Sequence, residues 1–508
     1  MPSARVAPEA SLLPARALLR RRGEDRSLRR LGGISLPWPS TPPTPAQRTA
    51  FADAEPRPYW LEALPPRAPE PPLESVTEAD LCIVGAGFTG LWAALHAVAD
   101  EPTRDVVVLE ADTIGFGASG RNGGFVIGSL THGIENGLAR FGDELPVLER
   151  IAHENFAGFQ ADLERHGVDC DLEPTGDLVV ALEPHELDWL AESARLLERY
   201  GHEHELFDGE AVRAEVASPT YLGGLWDKTD AGVLDPGKLA VGLADAARAA
   251  GVRLHEHTPA TGLRDRGTRV GVTTPQGVVL ARRVLLATSA YRPLLRSIRR
   301  YVAPIYDYAL MTEPLTPEQR AAVGWRRRQG VGDGANQFHY YRLSADGRIL
   351  WGGYDAVYRY GGPVGPHLDD DEPTFAKLSQ HFFTTFPQLE GIRFTHRWGG
   401  AIDTCSRFSV FFGTAHGGRV AYAVGYTGLG VAASRFGARV ALDLLDARET
   451  EATRLRYVRS KPVPFPPEPV RSGVIQLTRN RLAAADRNRG RRGLWLRTLD
   501  RLGLGFDS

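Results

Sequence analysis

Along the chain the apolar positions change their period, and each change marks an element. Leu81 to Val84 is a short unbroken apolar run, the pattern of a strand buried on both faces. It gives way to glycines before Leu91, Ala94, Leu95 and Val98 resume at helical spacing. A second such run spans Val106 to Leu109. Between about 140 and 230 a charged helical stretch carrying Leu145, Leu148, Ile151, Phe156 and Phe159 precedes a strand at Asp177 to Ala181 and a helix near Glu186 to Tyr200. Asp235 and Pro236 open a helix over Gly237 to Ala250 that Gly251 stops, and strands follow near Val252 to Glu256, Val270 to Thr274 and Arg283 to Thr288. From about 296 to 395 the texture shifts to short aromatic-rich strands, at Ile305 to Met311, Gln337 to Arg342 and Arg348 to Gly353. These predict an antiparallel sheet with a polar, aromatic face suited to the wall of a substrate cleft, although such stripes also serve plain packing. Ala421 to Val424 is a last strand and Val431 to Leu445 a last apolar helix.

The glycines between these elements carry the first chemical signal. Gly85-x-Gly87-Phe88-Thr89-Gly90 lies between a strand and a helix. There Gly85 permits a tight turn, Gly87 lets a pyrophosphate approach the backbone, and Gly90 lets the helix pack on its strand. Glu110 ends the next strand twenty residues on, where a carboxylate accepts hydrogen bonds from an adenosine ribose and disfavours a 2′-phosphate. The bland alternative is a glycine-rich turn that merely packs. Five glycines fall within 115–124, a costly run to order unless something approaches the backbone. Ser119, Arg121 and Asn122 supply donors beside Gly123 and Gly124, and a surface loop is the competing reading. More than three hundred residues later a second strand-glycine-helix unit appears, Gly425-Tyr-Thr427-Gly428-Leu429-Gly430. NAD does not require two such units; a long ligand gripped at both ends, FAD, does. The helix start after Gly430 suits negative charge on a reduced flavin ring.

Composition narrows the picture further. A formal net charge of -2 over 508 residues gives no reason to expect nucleic acid, and three cysteines cannot build a disulfide framework, so a reducing, cytoplasmic setting is the default. No apolar run reaches membrane-spanning length, and no metal site is expected. Residues 1–57 read as a disordered Arg/Pro-rich tail, with nine arginines against three acids in the first fifty. The Arg20-Arg21-Arg22 cluster lacks the apolar segment of a secretory signal; a transit peptide is the alternative to a solvated extension. Residues 451–508 form a basic, Pro-rich and helical C-terminal extension. In it Trp495, Leu499 and Leu502 make one apolar stripe, read either as packing on the domain below or as weak contact with anionic lipid or another subunit.

Taken in order, Val84 to Gly90, Glu110, Gly117 to Gly124, Trp398-Gly-Gly400 and Gly425 to Gly430 resemble the FAD-dependent D-amino-acid oxidase and glycine oxidase (DAO) family, most closely its gamma-glutamylputrescine oxidoreductase branch. The resemblance implies an α/β fold: a Rossmann-like FAD-binding domain with a mainly parallel sheet (76–160, 232–295 and 396–450) and an interleaved α+β substrate domain with an antiparallel sheet (161–231 and 296–395). It implies oxidation of a carbon–nitrogen bond of an amine or amino-acid derivative by hydride transfer to flavin N5, followed by imine hydrolysis. No catalytic side chain is required, because the flavin carries the chemistry. Oxygen or another acceptor completes the cycle. A flavin-dependent hydroxylase and a non-enzymatic flavoprotein are the rival classes.

Departures from that family sharpen the expectation. Glycine oxidases read Trp-Ala-Gly-Leu-Arg-Pro where this chain reads Trp398-Gly-Gly-Ala-Ile402-Asp403, so the arginine that holds a substrate carboxylate is replaced by Ile402. Asp403 is positioned either to face a cationic amine or to cap a turn, and Arg342 is the fallback partner for a carboxylate. Tyr306, Tyr308 and Tyr341 complete the substrate candidates. The position of an oxygen-activating lysine in sarcosine oxidases matches Leu350, with Arg348 expected on the same face. Cys405 lies near the position of covalent attachment in those enzymes but out of register, and noncovalent FAD is expected.

Overall fold

The Val76–Val84 strand lies at the middle of a sheet, flanked in parallel by Val106–Leu109 on one side and Val278–Leu286 on the other. Arg253–His255 extends the parallel set beyond Val106–Leu109, and Val420–Val424 extends it beyond Val278–Leu286. Phe411–Ala415, Val270–Thr273 and Gly262–Asp265 complete the eight strands by antiparallel pairing. The computed structural model describes residues 38–504. Central strands buried on both faces explain their continuous apolar runs, since helices cover the sheet. Phe88–Asp100, Ala433–Leu445, Leu145–His166 and Pro236–Ala249 pack with it into one large core around Leu91, Trp92, Phe159 and Leu243. Asp235 caps the last of these helices by accepting from the Lys238 amide at 2.9 Å.

The second sheet has nine strands, almost all antiparallel. Phe394–Thr404 pairs with Ala303–Thr312, followed by Ile349–Gly353, His339–Leu343, Gly330–Asp333, Asp177–Ala181, Gly223–Asp227 and His204–Asp208. The strand Val357–Tyr358 also joins Ala303–Thr312. One face packs on the helix Glu372–Thr385 through Phe375 and Phe382; the other faces the first sheet's glycine loops.

Two expectations need correction. The return at 396 falls inside the nine-stranded sheet, because Phe394–Thr404 stays paired to Ala303–Thr312 along its length. The tail does not run to 57 as a solvated segment. Thr44 and Gln47 form a capping box at Pro45–Ala52, which buries Ala50 and Phe51 against the second sheet's core, and the Trp38 ring stacks on His381 at 4.4 Å. Two aromatic rings, Trp38 and Phe51, with Ala50 and the hydrogen bonds from Ser379 and Gln380 to the Gln47 and Thr41 carbonyls dock this Pro-rich stretch. The Arg20-Arg21-Arg22 cluster lies outside the described residues.

The C-terminal extension folds back over the molecule. Val470–Asp486 and Leu494–Arg501 are helices, anchored by Asp486, which accepts from the Asn336 and Gln337 amides at 3.1 Å each. Leu496 and Leu499 turn inward and the Trp495 indole donates to Thr478, whereas Leu502 is 65% exposed, so the predicted stripe is rotated by part of a turn. Among the described residues no helix is long and apolar enough to cross a membrane.

Candidate active site

The parallel strands all end on one side, and the loops that follow them line a single cavity of about 930 Å³: Gly85 and Gly87 after the first, Glu110 and Asp112 after the second, Ala287 to Ser289 after Val278–Leu286, and Tyr426 to Gly430 after Val420–Val424. Ligands of open α/β sheets bind in this crevice. Phe88, Thr89, Ser119, Arg121, Asn122, Gly123, Thr427, Gly428, Leu429 and Gly430 line it as well. Gly90, Gly124 and Gly425 do not. A side chain on Gly90 would run into the Gly85 carbonyl, so this glycine serves the helix–strand contact, and Gly124 and Gly425 sit at positive φ, pressed against Leu234 and Phe411.

The polar groups of the expected cofactor set divide into two kinds. Glu110 is held by the Ala86 amide at 2.7 Å and the Asp112 amide at 3.0 Å, which fixes it at the strand end with lone pairs left for hydroxyl donors; burial raises its pKa. Ser119 accepts from the Phe88 amide at 2.9 Å, tying the second glycine loop to the first. Arg121 and Asn122 build that loop: the arginine meets Asp369 at 2.6 Å and the Gly399 and Phe116 carbonyls, and the asparagine spans Ala118, Ser119 and Gly124. The helices Phe88–Asp100 and Ala433–Leu445 begin without side-chain caps, leaving their amino ends for an anion. Two uncapped helix starts, a carboxylate at the second strand end and one continuous crevice fit FAD. Residues 288–292, with Thr288, Tyr291 and Arg292 in the lining, join this cradle without having been expected; they follow an ordinary strand and carry no motif.

The substrate wall is the cavity face of the nine-stranded sheet, and it corrects most of the substrate candidates. Along Ala303–Thr312 the odd positions Ile305, Asp307 and Ala309 face the cavity, while Tyr306 and Tyr308 point the other way, bonded to Gly365 and to the Leu368 carbonyl. Tyr341 is likewise in the core, 2.6 Å from the Tyr221 hydroxyl. Its neighbour Tyr340 faces the cavity instead. Tyr340 lies over Gly352 and beside Gly123, donates to Asp307 at 2.6 Å, and meets the Phe125 ring edge-on at 5.7 Å. Arg342 is fully buried outside the cavity lining, bonded to the Gly124 and Leu234 carbonyls beside Trp60, so it does not reach a substrate carboxylate there. Asp403 lines the cavity but caps the last glycine turn, accepting from the Gly425 amide at 2.6 Å and the Thr427 amide at 3.3 Å; burial raises its pKa to about 6. Ile402 faces the cavity. Leu350 is buried among Trp60, Met311 and Trp398, and Arg348 ends on Asp346 and Thr312 rather than beside it.

Sequence reading missed four of the cavity's carboxylates, Asp177, Asp307, Asp333 and Asp355, and its far side, where Val474, Ile475 and Leu482 of the C-terminal extension close over it. Asp307 sits between the two tyrosines that were expected to face substrate, and an acid in an otherwise apolar, aromatic strand was the available signal.

An open parallel sheet gripping a dinucleotide crevice, walled by a second antiparallel sheet, defines a two-domain flavoprotein oxidoreductase. The chain belongs to the FAD dependent oxidoreductase (DAO) family, whose model matches residues 80–444. It is 35% identical over 419 residues to gamma-glutamylputrescine oxidoreductase of Escherichia coli K12, covering 80% of this chain and 92% of that one. It is 30% identical over 401 residues to the probable oxidoreductase OrdL of Haemophilus influenzae, covering 77% and 88%. Its fold is that of glycine oxidase from Geobacillus kaustophilus, with a TM-score of 0.61 at 20% identity over 76% of this chain and 99% of that structure. The protein is therefore an FAD-dependent oxidoreductase.

Proposed function

We propose that this enzyme oxidises the carbon–nitrogen bond of an amine or amino-acid derivative, prefers an amine to a simple α-amino acid, and holds FAD without a covalent link. The observation that carries this reading is the charge of the substrate wall. Besides the turn-capping Asp403, four carboxylates face the cavity there, and the sheet's buried arginine, Arg342, is committed to backbone carbonyls. A substrate carboxylate against this wall would meet like charge, whereas a cationic amine is drawn to it; the arginines of the lining lie off the wall, Arg121 paired with Asp369, Arg292 in the cofactor cradle and Arg479 on the covering helix. The similarity to an enzyme named for a putrescine derivative points the same way.

FAD, when bound, supplies an acceptor for a hydride and its two electrons. The protein's own groups do the rest. Tyr340 and Trp398 form rigid aromatic walls that orient the carbon to be oxidised and exclude water. The reacting amine must first lose a proton, and Asp307, raised to about 6 by burial and held by Tyr340, is placed to receive it. Loss of a hydride and a proton from R-CH2-NH2 leaves an imine, and water converts that to an aldehyde and ammonia. The Cys405 thiol is buried, donates to the Ser409 carbonyl at 3.2 Å and is pushed up in pKa, so it lacks the thiolate character that covalent attachment needs.

Anaerobic mixing of the yellow holoenzyme with a panel of amines and amino acids tests the reading: amines bleach the flavin band faster than glycine or D-alanine. A higher kcat/KM for glycine than for every amine overturns it. Acid precipitation leaves the flavin in the supernatant if attachment is noncovalent, and peroxide formed steadily in air identifies oxygen as the acceptor.

A further inference from the structure

Besides Asp403, which caps the last glycine turn, four carboxylates line the substrate wall, and three of them already have partners. Asp307 accepts from Tyr340 at 2.6 Å and from the Tyr308 amide at 2.8 Å. Asp333 meets the His339 ring at 2.8 Å and the Ala335 amide at 3.2 Å. Asp355 is paired with Lys377 and Thr374. Asp177 has no hydrogen-bond donor on either oxygen among the described residues.

Its position follows from strand alternation. In Asp177–Ala181, Leu178 and Val180 enter the core of the second sheet, and Asp177 and Val179 face the cavity. The Phe125 ring and an Asp177 oxygen crowd the same Gly330, within 2.4 and 3.3 Å of where a side chain there would begin. The charge opposite it is unfavourable: Asp227 is its cross-strand partner in the sheet, and burial together with that carboxylate raises Asp177 to about 7. Placing an unpartnered carboxylate against an aromatic ring is destabilising unless something arrives to pair with it.

The Phe125 and Tyr340 rings both pack on Gly123 of the second glycine loop, and the Phe125 ring also reaches Gly330 beside Asp177, which places Asp177 across an aromatic ring from that loop. The nitrogen being oxidised needs its lone pair and must be neutral, so an ion pair to it would oppose the reaction. A cation elsewhere on the same molecule has no such conflict. We propose that Asp177 is a specificity-determining residue that pairs with a second cationic nitrogen of the substrate, remote from the bond oxidised, so that diamines and their derivatives are preferred to monoamines. This rests on the amine oxidation proposed above.

Carbon-matched pairs test it: putrescine against butylamine and cadaverine against pentylamine, with anaerobic flavin reduction measured on wild type, Asp177→Asn and Asp177→Glu holoenzyme of equal flavin content and thermal stability. Wild type favours the diamine of each pair by about tenfold or more in kcat/KM. In Asp177→Asn that ratio falls to about one, chiefly through KM, and Asp177→Glu keeps most of it. A wild-type enzyme indifferent to the second nitrogen overturns the assignment, as does an Asp177→Asn ratio equal to wild type. If no amine reduces the flavin, the amine-oxidation reading itself falls; if amines reduce it and only the ratio fails to move, Asp177 alone loses its role.

Discussion

Among the described residues the Tyr340 hydroxyl is the one side-chain donor to Asp307, and both groups face the cavity. Hydrogen bonds to charged groups contribute about 1.5–3 kcal/mol. Tyr340→Phe is therefore expected to lower the rate of flavin reduction by amines about tenfold or more, and to move the acidic limb of its pH profile upward, since Asp307 loses the bond that lowers its pKa from the value burial imposes. Tyr308→Phe and Tyr341→Phe, which face the opposite core, should leave kcat/KM within about twofold while lowering Tm. Asp177 makes a different prediction. Its folded pKa of about 7 is above the ordinary 3.8, so the folded protein binds the proton more tightly than the unfolded chain; the stability this contributes is present at low pH and lost as pH rises through about 7. Asp177→Asn removes that dependence, so thermal melts should show the variant gaining on wild type as pH is raised, with little difference in acid. Groups kept for binding at the expense of stability behave in this way.

At the scale of elements, the loops after the parallel strands divide into glycines that pack and glycines that present backbone. Gly90→Ala drives a methyl into the Gly85 carbonyl and should cost about 3 kcal/mol or more, giving protein that loses its yellow colour and aggregates. Gly428→Ala meets no atom within 4 Å but must hold φ near +93°, a strain of about 1–2 kcal/mol. That variant should fold and bind FAD more weakly, measured by flavin retention on dilution. These loops were legible in the sequence because their signal is local: a buried run, a glycine spacing and a helical period fall within twenty residues. The substrate wall was not. Tyr306 and Tyr308 reveal by their spacing that they share a face, but a period of two offers two equivalent faces, and only the packing of Glu372–Thr385 decides which is the core. Arg342 was on the cavity side of its strand and still too far along it, a displacement that spacing does not encode. Pro45–Ala52 was hidden for another reason: its two buried residues, Ala50 and Phe51, need a surface over three hundred residues away.

Over the whole molecule, the cofactor cradle comes from residues 85–123, 287–292 and 426–430, the substrate wall from 125–127, 177–179, 303–356 and 398–402, and the covering helices from beyond 462. The family match ends at 444, so these helices lie outside it. Asp486 ties them to Asn336 and Gln337, which themselves line the cavity. Asp486→Ala is expected to raise KM for amines by about three- to tenfold with kcat and flavin content preserved, and to open the 463–495 stretch to limited proteolysis, read by mass spectrometry of the first fragments. Because, among the described residues, no hydrogen bond or ion pair joins the covering helices to the 85–90 loop or to Glu110, mutations there can alter which molecules are admitted while electron transfer continues undisturbed. Selection, or an engineer working by random mutagenesis, can thus treat the last forty or so residues as a replaceable sieve and broaden or narrow the enzyme's diet without rebuilding its engine.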